Sequence, residues 1–123
     1  MGKVFDHVGF KTTEKKADES WVENTRVWVT NPKEHPWAVE WLRYEPDSPV
    51  PEVLRENPHV AYRVDNLDEA SEGLKIILGP MIVDDFVRVG FYQNSDGSLV
   101  ELMEYLRDEG EWFPKQHDGD AKG

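Results

Sequence analysis

At 123 residues the chain has the length of one domain, enough to bury a core without cross-links. It contains no Cys, which excludes a disulfide framework, thiolate ligands and a cysteine nucleophile, so any metal must be held by His, Asp or Glu. Its 25 acidic residues against 14 Lys and Arg leave a net charge of −11, which repels nucleic-acid phosphates and anionic lipids; neither nucleic acid nor a membrane is expected as a partner.

Residues 1–6 lack the apolar run of a signal peptide and no stretch is long enough to span a bilayer, so a cytoplasmic protein is expected. Residues 4–10 suit an extended segment. Residues 11–20 form a polar connection with too few apolar positions for a helix. Residues 25–30 alternate apolar and polar with branched and aromatic side chains, the pattern of a strand, and Asn31-Pro32 closes it. Residues 37–44 read as a second aromatic-rich strand, and the two form a plausible hairpin. Pro46, Pro49 and Pro51 cannot continue a central strand and mark a joint between two halves.

Past the joint, Val53, Leu54 and Arg55 suit one helical turn, and residues 59–64 read as a strand. Asp65 or Asn66 can cap a helix whose Leu67, Ala70 and Leu74 share a face, with Glu69 placed to support the cap. Residues 76–83 are apolar around Gly79-Pro80, residues 86–93 alternate, and Asn94-Ser95-Asp96-Gly97 is a turn leading into residues 98–105. The second half therefore reads strand, helix, then three strands. Residues 116–123 are small and polar and read as a flexible tail, while Trp112-Phe113-Pro114 reads as a segment that packs back on the domain or onto a partner subunit.

The two halves repeat one another in two places. His7-Val8-Gly9-Phe10 matches His59-Val60-Ala61-Tyr62, and Val39-Glu40 with Tyr44 matches Val100-Glu101 with Tyr105. Strand parity puts Glu101 on a face with Leu99 and Met103, Glu40 with Leu42 and Tyr44, and His59 with Ala61. A carboxylate on an apolar face is costly unless it is paired or binds a cation, and two His with two Glu suit a divalent ion. Glu40 has a competing reading as a strand-edge carboxylate paired with Arg26 or Arg43. His35, in a turn, and His117, in the tail, read as solvent-exposed, and Asp84-Asp85 as a solvated turn.

These residues resemble the vicinal oxygen chelate superfamily, which includes glyoxalase I, extradiol dioxygenases and the bleomycin resistance proteins. The resemblance spans roughly residues 3 to 107 and is strongest over residues 58–70 and 95–102. It implies an α+β fold of two βαβββ modules in tandem, about 3–50 and 57–107, forming a curved mixed sheet around a cleft in a single domain of residues 1–115. The family's first module carries a longer helix than residues 11–24 can supply, so that helix is expected to be shortened or missing. The resemblance also implies metal ligands at His7, Glu40, His59 and Glu101, and a divalent ion such as Zn, Ni, Co, Mn or Fe. The leading expectation is a glyoxalase-like enzyme that holds two neighbouring oxygens of a small-molecule substrate on the ion and stabilises an enediolate, with Glu101 as base. An iron enzyme of extradiol-dioxygenase type, using His7, His59 and Glu101 alone, is one alternative. A metal-free drug- or metabolite-binding protein is another. No further cofactor is expected, and the resemblance implies a homodimer.

Overall fold

In the computed structural model, which describes residues 2–106, alternating apolar and polar segments become eight strands of one mixed, curled sheet. The strands are β1 (Val4–Lys11), β2 (Ser20–Val22), β3 (Val27–Val29), β4 (Val39–Tyr44), β5 (His59–Arg63), β6 (Lys75–Val83), β7 (Val87–Gln93) and β8 (Leu99–Tyr105). Two four-residue helices, α1 (Glu52–Arg55) and α2 (Leu67–Ala70), complete an α+β fold. The spatial order is β2-β3-β4-β1-β5-β8-β7-β6, with the antiparallel β1–β5 pair at the centre. On either side of it runs a parallel pair, β1 with β4 and β5 with β8.

Because side chains alternate across a strand, the valines of Val27-Trp28-Val29 share one face and Trp28 takes the other. That valine face joins Val22, Leu42, Val89 and Met103 in the largest buried cluster, which draws on both ends of the sheet. The sheet must curl to bring these together. At its rim the Asn24 side-chain amide donates to the Ile82 carbonyl at 3.3 Å, linking the β2–β3 turn to the edge strand β6. On the opposite face α2 buries Leu67 against Tyr92 and Leu102. Leu54 of α1 packs with Val50 and Leu99 in a third cluster.

The proline-rich joint and the single turn at α1 fall where the sequence predicts them, and β3 and β4 form the expected hairpin. The polar connection of residues 11–20 differs from expectation at its end, where Ser20–Val22 is a strand. Three residues are too few to show alternation. What holds them is the cross-strand pair Trp21 and Trp28, whose rings lie 4.9 Å apart. No helix lies between β1 and β2, since residues 12–19 contain Ala17 as their only apolar residue. In the second half Asn66 caps α2 by accepting from the Glu69 amide at 3.0 Å. The helix ends before Leu74, because Gly73 takes a φ of 84° and turns the chain toward β6. The segment at residues 112–114, the tail and His117 lie outside the described residues.

Candidate metal centre

The four repeated residues meet at the middle of the sheet. His7 comes from β1, Glu40 from β4, His59 from β5 and Glu101 from β8, the four central strands. Gly9 lies opposite both Glu40 and His59, and Ala61 lies opposite both Glu101 and His7. The small residue of each His-Val-small-aromatic match is thus the one facing a ligand-type residue on both neighbouring strands. At Gly9 this has a steric reason: a Cβ there would meet Cε1 of His59 at 2.4 Å.

All four side chains are buried, with His7 at 0 % and Glu40 and Glu101 at 6 % exposure. One donor atom from each lies within 4.8 Å of every other. His7 Nε2 is 3.2 Å from Glu40 Oε1 and 3.3 Å from Glu101 Oε1, and His59 Nε2 is 3.1 Å from the same Glu101 oxygen. Glu40 is therefore not a strand-edge carboxylate paired with Arg26 or Arg43. Arg26 instead bonds Asp47 at 2.8 Å, and Arg43 holds Glu19 through two bonds of 2.6 and 2.8 Å.

Asp6, which the sequence reading did not single out, supports His7 from behind. Its Oδ1 is 2.7 Å from His7 Nδ1, while its Oδ2 accepts a hydrogen bond from the Tyr105 hydroxyl at 2.8 Å and lies 3.7 Å from Lys33 Nζ. Neighbours on a regular strand point to opposite faces, so parity alone would send Asp6 away from His7. The register between β1 and β5 shifts between Phe5 and His7, leaving Asp6 as the extra residue of a bulge, and a bulge re-aims a side chain. The only signal in the sequence was the Asp-His dipeptide itself.

Burial disfavours charge on His7, yet Glu40, Asp6 and Glu101 together raise its pKa well above the usual 6.5. Burial likewise pushes Glu101 up, and the hydrogen bonds from His59 and His7 outweigh it, so that Glu101 is held below the usual carboxylate range. For Asp6 too, burial is outweighed, by His7, Tyr105 and Lys33, and its pKa is lowered. The centre thus stabilises two carboxylates by keeping a proton on His7. A divalent cation can take that proton's place with more charge.

The donor set fits such an ion. Metal–ligand bonds of about 2.0–2.2 Å put neighbouring donors about 2.8–3.6 Å apart around tetrahedral or octahedral ions. The contacts of 3.1–3.3 Å in the cluster fall within that spacing. Two imidazoles with two carboxylates suit zinc, nickel, cobalt, manganese or iron better than calcium, which prefers oxygen throughout. Asp6 on Nδ1 supplies the carboxylate–histidine support that such ligands commonly have.

Next to the cluster a cavity of about 60 Å³ opens between the inner faces of the two sheet ends, with Glu40 and Glu101 in its lining. Phe91, another lining residue, sets its ring edge-on to His59 at 5.3 Å. The other sequence candidates stand apart. His35 Nδ1 accepts from the Trp37 amide at 3.0 Å within its turn, and Asp84 and Asp85 form an exposed turn with φ of 49° and 60°. Among the described residues no helix is long and apolar enough to cross a membrane. Neither the models of known protein families nor the curated proteins yield a match to this sequence.

Proposed function

We propose that the chain is a metal-dependent enzyme of glyoxalase type, of the vicinal oxygen chelate kind, built from two tandem modules whose first has lost its helix. The observation that carries this reading is the convergence of two His and two Glu, one from each central strand, beside a cavity. The tandem reading is supported by register: Val8 pairs Val39 as Val60 pairs Val100, and Gly9 pairs Glu40 as Ala61 pairs Glu101. The parallel pairs related in this way flank the antiparallel β1–β5 contact, as expected for two copies joined head to head.

His7, Glu40, His59 and Glu101 would hold the ion. When bound, a divalent ion supplies Lewis acidity to two neighbouring oxygens of a substrate. Glu101 lines the cavity, so its carboxylate could take a proton from one substrate carbon and return it to the next. Asp6 fixes the His7 ring with Nε2 toward the cluster. Apart from Thr25 and the two carboxylates, the cavity walls are apolar.

The burial of Glu40 and its 3.2 Å approach to His7 favour four ligands over the three-ligand set of a dioxygenase. Metal analysis of protein purified without chelator, repeated on Glu40→Gln and His59→Ala, tests the proposal. Zinc, nickel or cobalt bound by the parent and lost from both variants is the expected result. Iron that survives Glu40→Gln would replace it with the dioxygenase reading. A parent protein that takes up no added divalent ion would overturn both and leave a metal-free binding protein.

A further inference from the structure

Resting on the metal-centre reading, we infer that the site selects a small uncharged substrate with an aliphatic body, and that it discriminates against anions of the same size. The cavity of about 60 Å³ is the basis for size. At about 10–15 Å³ per water-sized sphere, it has room for about four to six non-hydrogen atoms. A peptide-like thiol adduct or a nucleotide ester would extend well beyond it.

The lining decides polarity. Val22, Val27 and Val29 form one wall and Met81, Val83 and Val87 the other, while the polar residues are Thr25, Glu40 and Glu101. Among the described residues that line the cavity, none is Lys, Arg or His. A divalent ion would neutralise Glu40 and Glu101, but a third negative charge would enter the cavity with no cation side chain in its lining to meet it, and a buried unpaired charge is disfavoured. Three arginines are engaged elsewhere: Arg43 with Glu19, Arg26 with Asp47, and Arg88 with Asp68. A cationic substrate would compete with the metal for the same two carboxylates. A short α-hydroxyketone or vicinal diketone meets every constraint, since its adjacent oxygens can face the ion and its alkyl groups the valines.

The experiment uses a matched pair of compounds, 3-hydroxy-2-butanone, which is neutral, and lactate, which is anionic, each of about six non-hydrogen atoms. The full chain is loaded with cobalt(II), and each compound is titrated while the visible absorption of the bound ion is followed. The neutral compound is expected to shift the spectrum saturably, with lactate at least about tenfold weaker. Lactate binding as tightly or more tightly would overturn the inference. The large neutral diketone benzil binding as well as 3-hydroxy-2-butanone would overturn the size argument. Val29→Phe, which fills the cavity, should keep cobalt and lose the neutral compound; if it does not fold, Val27→Leu tests the same wall more gently. Cobalt retained with unchanged binding in the folded variant would overturn the cavity as the substrate site. A parent chain that binds no cobalt overturns the metal centre instead, and the preference of the cavity is then read from thermal shifts of the metal-free chain with the same pair, where equal shifts would overturn it.

Discussion

Asp6 and His7 are adjacent in sequence, yet they act in line, carboxylate behind imidazole, because the bulge places both toward the buried face. Asp6→Asn keeps the shape but removes the charge that favours the bound tautomer. Loss of such a supporting carboxylate typically weakens metal binding about 10–100-fold, which a chelator-competition titration would measure while circular dichroism shows an unchanged fold. The proton on His7 makes a second expectation at this scale. With its folded pKa raised above the usual 6.5, His7 contributes stability that is complete below 6.5 and lost as pH rises through the folded value. Glu101 is the opposite case: its pKa is depressed, so its contribution is present above 4.5 and lost as pH falls through the folded value. Melting temperatures in chelator should therefore fall as pH rises above about 6.5. Saturating metal should flatten that alkaline limb, and metal affinity itself should weaken as pH drops. A metal-free melting curve that is level from neutral to alkaline pH would contradict the assignment of the proton to His7.

At the scale of elements, β1 matters most, because it supplies His7 and also the gap beside His59. Gly9 sits where any side chain would strike the His59 ring and Leu42, at 2.4 and 2.9 Å respectively. Gly9→Ala is expected to cost about 1–3 kcal/mol from overpacking and to weaken metal binding by displacing His59. Gly2→Ala, with nothing within 4 Å, is the neutral control. Thermal denaturation and metal titration of both variants separate the two effects. The short helix α2 offers a contrast, since its Asn66 cap and buried Leu67 lie on the face away from the ligands. Asn66→Ala should lower stability by about 1 kcal/mol and leave metal affinity unchanged. That pair of results would separate elements that support the sheet from those that shape the site.

Across the whole molecule the centre ties together four strands drawn from both sides of the proline-rich joint, so an ion held there would couple its binding to folding. An ion that binds only the folded chain stabilises it by about 2.7 kcal/mol at a free concentration 100 times its dissociation constant. Melting temperature should therefore rise with metal concentration in the parent and stay flat in Glu40→Gln, followed by calorimetry. Much of this architecture was legible in the chain: the strand at residues 59–63, the Asn66 cap, the β3–β4 hairpin and the four ligand-type residues all have local or repeating signatures. The strand β2 did not, because three residues have no periodicity and Trp21 finds its reason only in Trp28. Nor did Asp6, because a bulge breaks the alternation from which facing is deduced.

The sequence by itself determined the types and order of the donors, the absence of thiolate chemistry and the alternation that buries His and Glu on an apolar face. These are properties of residue identity and of period two along a strand. Tertiary structure alone decided that Glu40 joins the cluster while Arg26 and Arg43 turn to Asp47 and Glu19. It alone decided that Asp6 backs His7, and that the walls from opposite ends of the sheet leave a cavity of about 60 Å³ between them. Those outcomes depend on curl, register and a one-residue bulge, which arise from contacts between strands distant in sequence and leave no mark on any one of them.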